Sequence, residues 1–282
     1  DLKDIIPAAG SREKITLEDA CGDFFELNDE QELELVKSFI WYCPFFMKKM
    51  ARTRRFSNII LSNYAVYNNA EKEVQFGAFL AELGDGSVYV DFMGTDDSLI
   101  GWKEDFNMSF IQPIPSQLEA ASYVNEVLLP GRKKIRLGGH SKGGNLAIYA
   151  AVKADRKVKK RIIEVYNNDG PGFDRKMIES EEYQEMLPKI KTIVPQHSIV
   201  GMLLEHEERY MIEALSRWIN GMTRQQRSDF VEVLFSIITS SGATKLSDLS
   251  ADRFNFAGAA LKMYGSLDRE TKMMLRRMLK SL

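Results

Sequence analysis

Cysteine is scarce in this chain: only Cys21 and Cys43 occur. Two thiols cannot make the disulfide framework of a small secreted domain, and both are expected to be reduced and partly buried. Histidine is nearly as scarce, at three (His140, His197 and His206), and no Cys/His cluster has the spacing of a zinc site. No run approaches the roughly 18 apolar residues of a membrane-spanning helix, and no secretory leader is recognisable; the expected location is the cytoplasm. An excess of one charge is missing too. Lys and Arg number 38 against 40 Asp and Glu, a net charge of −2, so no general attraction to nucleic acid is implied. No internal repeat or low-complexity tract is present. The first residue is Asp1 rather than Met, from which a longer translation product is expected.

What remains is an ordinary globular mixture, 44% hydrophobic and 28% charged over 282 residues, enough for one large α/β domain with a sizeable core. Residues 1–55 read as helical and irregular, with a helix start at Thr16-Leu17-Glu18-Asp19 and a kink or break at Pro44. The aromatic patch Phe39 to Phe46 reads as core. Strand chemistry follows in Phe56–Tyr67, Val74–Leu80 and Val88–Phe92, the last two joined by the hairpin-type turn Gly84-Asp85-Gly86-Ser87. A capping box at Ser116–Glu119 predicts a helix over 117–129. Strands are expected at 134–137, 161–166 and 190–194, and helices at 145–154 and 179–186. The basic run Arg156 to Arg161 reads as a solvated loop. From Arg209 the pattern is helical, with a helix through Phe230–Ile238 closed by Gly242. The stretch 267–282 is basic and amphipathic, suited to docking on the domain or, as a sharper alternative, to a membrane surface. The expected whole is a single domain over 1–282: a core at about 56–206, an N-terminal helical segment 1–55 and a C-terminal helical segment 207–282.

The most informative stretch is Gly139-His140-Ser141-Lys142-Gly143, between a strand and a small-residue helix. A bare G-x-S-x-G arises by chance in roughly one chain in ten of this length, given Gly near 7% of residues. The strand before it and the helix after it make it a nucleophile elbow, a crowded turn that lifts one serine above the sheet. A helix start there aims backbone N–H groups at the space above Ser141, where a developing oxyanion would be stabilised. The expected donors are the Lys142 N–H and Thr95, in the loop Met93-Gly94-Thr95. A serine nucleophile needs a base and an orienting acid. His206 is the preferred base and His197 the alternative, both later in the chain than Ser141; His140 reads as a packed support. Asp169, after a predicted strand, is the best acid, with an Asx-turn role in Asn-Asp-Gly-Pro-Gly as the competing reading. Chemistry of this type needs no cofactor and no metal, and its substrate class is a small-molecule or lipid ester.

Two segments resemble class 3 lipases: VYVDFMGTDDSLIGWKED (88–105) is similar to their FRGT…W…D segment, and GHSKGGNLA (139–147) to their GHSLGGALA. Together with YNNDGPGF (166–173) and SIVGMLLEH (198–206), the chain resembles a bacterial α/β-hydrolase family of unknown function often called Mbeg-like, over roughly 50–240. The resemblance implies an α/β-hydrolase-like fold, a mostly parallel sheet flanked by helices, with Ser141 matching the nucleophile and Thr95 the oxyanion-hole residue. Trp102 and Asp105 match a structural part of the same segment. The lipase arginine is Met93 here, and the lipases' triad aspartate falls at Ser198, which moves the acid role to Asp169. Relatives carry a Gln-His-Asp segment after the Leu-Leu-Glu-His motif. Here LLEHEE runs directly into RYMIEALSRW, so either that segment is lost or a stretch of the natural chain, base included, is absent from this sequence. The implied function is an esterase or lipase-like serine hydrolase, with a catalytically silent scaffold used for binding as the alternative.

Overall fold

A computed structural model describes residues 2–35, 43–194, 223–239 and 272. The readings placed on Phe39, Pro195–Ser198, His197, His206, Gly242 and nearly all of 267–282 lie outside those residues. The N-terminal segment supplies more than helices. β1 (Ile15–Thr16) pairs antiparallel with β2 (Ile60–Asn69) as the edge of the sheet. Thr16 then caps α1 (Leu17–Leu27), its Oγ1 accepting from the Asp19 N–H at 3.1 Å, as the capping pattern predicts. Leu17, Ala20, Cys21 and Phe24 recur at helical spacing and are the buried residues of α1; Cys21 is a free thiol. After α2 (Glu30–Leu35), α3 (Cys43–Ala51) carries Pro44 in its first turn, where a missing N–H costs nothing. Phe46 departs from the core expectation at 60% exposure, while its neighbour Phe45 meets the ring of Phe25.

The sheet continues through β3 (Val74–Glu82), β4 (Val88–Phe92), β5 (Ile135–His140), β6 (Ile162–Asn168) and β7 (Ile190–Ile193), in that spatial order. β1 to β4 are antiparallel and β4 to β7 parallel, so the half bearing the G-x-S-x-G turn is built of crossovers. This is the α/β-hydrolase-like arrangement. Gly86 takes φ +81° in the β3–β4 turn, where Asp85 accepts from the Ser87 N–H at 2.9 Å.

α4 (Leu99–Asn107) and α5 (Pro115–Leu128) connect β4 to β5, α6 (Lys142–Lys153) and α7 (Arg156–Lys159) connect β5 to β6, and α8 (Arg175–Ile178) and α9 (Glu181–Met186) lead to β7. The basic run expected as a loop is thus largely α7, and the helix expected over 179–186 is cut by Ser180, whose Oγ caps α9. The capping-box expectation for α5 also fails. The helix begins two residues earlier, with Pro115 at its first position. Ser116, cast as the cap, is buried instead, its N–H donating to Glu104 Oε1 at 2.9 Å. Gln117 closes the helix start by accepting from the Ile114 N–H at 3.0 Å. α10 (Arg224–Thr239) fulfils the helical spacing read in that region and packs on α4, with Phe235 edge-on to Phe106 at 5.9 Å.

One face of the sheet carries Phe76, Val90, Phe92, Leu137 and Val165 against Ala120, Val124, Leu146, Ala147 and Ala150 of α5 and α6. The small residues of α6 let that helix lie close to the strands, and this sets the height of its first turn over the sheet. The N-terminal helices build a second cluster, Leu17, Phe24, Leu61, Tyr64 and Ala81.

Candidate active site

Ser141 stands between β5 and α6 at φ 55° and ψ −129°, a backbone region that non-glycine residues rarely adopt and that persists only where the surroundings over-determine it. Here they do. The Ser141 N–H donates to Asn168 O at 2.9 Å, and Ser141 O accepts from the Gly144 N–H at 2.9 Å. β4 lies so close beneath the turn that a Cβ on Gly139 would come within 2.4 Å of Phe92 O, and one on Gly143 within 2.1 Å. Both positions therefore require glycine. This is the strand–turn–helix elbow that the motif predicts, with Ser141 half-buried at its apex.

The loop after β4 passes beside the elbow. A Cβ built on Gly94 would lie 3.7 Å from Ser141 Cβ. In the next residue, the Thr95 hydroxyl donates to Asp105 Oδ2 on α4. That proton is engaged, so the donor Thr95 has left to offer is its backbone N–H. Lys142 begins α6, and a first-turn N–H has no intrahelical acceptor.

Asp169 follows β6 at φ 60°, and its N–H donates to Ile193 O at 2.8 Å. The side chain that closes this turn is that of Asn167, whose Oδ1 accepts from the Gly170 N–H at 2.9 Å. Asp169 Oδ1 is enclosed and accepts no hydrogen bond among the described residues. A Cβ on Gly170 would sit 2.5 Å from Ser141 O, so the Asp169 loop abuts the elbow. Asn145 of α6 fastens that loop, donating to Pro171 O at 3.0 Å and Gly172 O at 2.9 Å while accepting from Gln117 Nε2 at 2.8 Å. His140, expected to pack, is exposed at the end of β5. The structure thus brings together Ser141, Thr95, Lys142 and Asp169. The base candidates His197 and His206 lie outside the described residues. Among the described residues no group of three or more His, Cys, Asp or Glu is placed to hold a metal.

Sequence reasoning considered Lys142 for its N–H and missed its side chain. The ammonium is fully buried beside a fully buried Glu104. It donates to Glu104 Oε2 at 3.0 Å, to Gln75 O at 2.9 Å and to Gln75 Oε1. Glu104 also accepts from the N–H groups of Gln75, at 3.1 Å, and Ser116. Asp105 Oδ1 lies 4.0 Å from Lys142 Nζ and is cut off from solvent. Burial, the largest influence, pushes the Asp105 carboxyl up to about 6, against the opposing pull of Lys142 and the Thr95 hydroxyl. The signal for this network was a cation opening a helix whose next ten residues carry no charge, at the end where the helix dipole disfavours positive charge.

A family model described as Mbeg1-like matches residues 50–214. The chain belongs to the Mbeg1-like family. That segment of the Mbeg1-like chain runs from the end of α3 past β7 and contains Thr95, Asp105, Ser141, Lys142, Asp169 and both later histidines. No curated protein matches the chain. Among solved structures, it is similar to a fungal lipase–inhibitor complex described as a model for interfacial activation in lipases. The identity is 17%, the match covers 49% of this chain and 59% of that one, and the TM-score is 0.35. The match therefore spans less than two thirds of that lipase's length. No helix among the described residues is long and apolar enough to cross a membrane.

Proposed function

We propose that this Mbeg1-like protein is a serine hydrolase of the esterase or lipase type. The observation that carries the reading is Ser141 held at φ 55° on a strand-to-helix turn whose close approach to β4 requires glycine at 139 and 143. Backbone strain of this kind costs about 1–3 kcal/mol and collects at functional sites. In the proposed reaction, Ser141 Oγ attacks the carbonyl carbon of an ester while a histidine takes its proton. The base is His206, because His197, the alternative, falls in the segment right after β7 where an acid more often sits. The tetrahedral oxyanion receives the N–H groups of Lys142 and Thr95. The intermediate collapses and expels the alkoxide, which the histidine protonates. Water, deprotonated by the same histidine, then attacks the acyl-enzyme, freeing the carboxylic acid and returning Ser141. Asp169 accepts the histidine's second N–H through its enclosed, uncommitted Oδ1 and orients the ring. No step calls for a metal or an organic cofactor. We assign residues 1–282 to one domain, and a small-molecule or lipid ester as the substrate.

The test is turnover of a p-nitrophenyl ester series of increasing acyl length. The folded chain is expected to hydrolyse at least one member, and Ser141→Ala to lower that rate by about 10³-fold or more. Equal turnover by both proteins would overturn the assignment of Ser141. The acyl length giving the highest kcat/KM then separates a lipase from an esterase.

A further inference from the structure

A lysine at the first position of a helix is poorly placed electrostatically, because that end of the helix dipole is already positive. A buried ammonium is costly as well, unless it is fully paired. Lys142 is both, and its surroundings explain how it is kept. All three of its ammonium protons are used, on Gln75 O, Gln75 Oε1 and Glu104 Oε2. These acceptors come from β3 and α4, so one side chain joins α6 to both. The same charge lies 4.0 Å from Asp105 Oδ1 with no proton left to donate, acting on that carboxylate as a field rather than a hydrogen bond. Asp105 in turn accepts the Thr95 hydroxyl. The chain of contacts runs from the residue after Ser141, through Asp105 of α4, to the loop that passes beside Ser141.

We propose that the Lys142 side chain is a positioning group for the oxyanion loop: its buried charge keeps Asp105 in the anionic form that accepts the Thr95 hydroxyl, and so fixes residues 94–95 beside Ser141. The inference rests on the reading of Thr95 N–H as an oxyanion donor. It assigns the lysine side chain a task separate from that of its own N–H, which any residue at this position would supply. Glu104 is the counterweight. It satisfies the ammonium, yet it also repels the Asp105 charge from the adjacent position.

The groups acting on Asp105 are few. Lys142 on α6 and the Thr95 hydroxyl favour the anion; burial, Glu104 on the same helix and Asp96 in the loop oppose it. Lys103, the neighbouring cation on α4, is engaged by Glu73 and by Glu232 of α10. With the carboxyl held at about 6, the anion prevails at neutral pH by a modest margin. Loss of the lysine charge reverses that margin.

The experiment measures the rate of fluorophosphonate labelling from pH 5 to 9 for the unmodified chain, the double variant Lys142→Met with Glu104→Gln, and Glu104→Gln alone. The double change removes the Lys142–Glu104 pair as a unit, so neither partner is left as a lone buried ion, and the protein is expected to fold, as melting curves of both variants check. On the acid side the unmodified chain loses reactivity through two groups, Asp105 and the base histidine. An opposite charge within about 4–6 Å moves a pKa by roughly 1–3 units. Lys142 acts on Asp105 more strongly than Glu104 does, so the double variant, which loses both charges, is expected to carry the Asp105 part of the limb up by about one pH unit, less than loss of the lysine alone would give. Glu104→Gln removes a repelling charge and is expected to move it down, leaving a limb with the slope of one proton. Shifts of opposite sign from two changes within one network are not what loosened packing produces. Labelling that slows in both variants with an unmoved midpoint, or midpoints that move together, would overturn the proposal. A chain whose unmodified form takes no label overturns the hydrolase reading instead. The carboxyl titration, followed by NMR with Asp105→Asn for assignment, then tests whether Lys142 sets the charge on Asp105.

Discussion

Gly143→Ala is expected to destabilise the protein by about 3 kcal/mol or more, measured by urea unfolding. The added Cβ would lie 2.1 Å from Phe92 O, 2.9 Å from Phe92 C and 3.1 Å from Met93 C. All three atoms are backbone at the end of β4, and Phe92 is itself held in register with Gly139 of β5. No side chain can swing aside. Either the first turn of α6 lifts from the sheet or β4 gives way, and both movements displace Ser141 from its strained conformation. A domain is stable by only about 5–15 kcal/mol in total, so the loss is a large share of it. Gly22→Ala is the control. Gly22 lies inside α1 at an ordinary φ, and a Cβ added there would meet nothing within 4 Å. Alanine at that position is expected to stabilise by about 0.5–1 kcal/mol. Destabilisation of equal size at both positions would show that the elbow is not the tight contact described.

Asp169→Asn is expected to lower serine reactivity by about 10⁴-fold, the magnitude seen when a triad aspartate becomes asparagine and the histidine takes the wrong tautomer. The change is selective. Asparagine has nearly the same shape and tolerates the φ of 60° at which this residue sits. The N–H bond to Ile193 O and the Asn167 turn are retained. A melting temperature close to that of the unmodified protein is therefore expected alongside the loss, and kcat/KM for the best ester reads the effect. Unchanged reactivity would remove Asp169 from the mechanism and return it to a loop role.

The parts of the fold most legible in the sequence were those fixed by local chemistry. Thr16 with Asp19 marked the start of α1, Gly84-Asp85-Gly86-Ser87 the β3–β4 turn, and Gly139-x-Ser141-x-Gly143 the elbow. Each is a short pattern whose geometry admits few residue types. The start of α5 was misread because Ser116 has the composition of a cap, whereas its environment is set by Glu104, 12 positions earlier in the chain. Phe46 was assigned to the core on hydrophobicity alone, which says nothing about which side of α3 meets the sheet. The Lys142 network was illegible for the same reason: Gln75, Glu104 and Lys142 come from three elements, and only tertiary packing unites them. Asp169 falls between these cases. Its place after a strand was readable, but the division of labour with Asn167, one residue making the turn and the other leaving a carboxylate oxygen free, was not.

The central claim is that Ser141 is an activated nucleophile. It is tested most directly by exposing the folded chain to a fluorophosphonate probe at neutral pH and mapping the adduct by mass spectrometry. The account predicts a single covalent adduct on Ser141, absent from Ser141→Ala. A folded protein that takes no adduct, or takes it equally after that substitution, would contradict the claim and leave the elbow as a scaffold for binding.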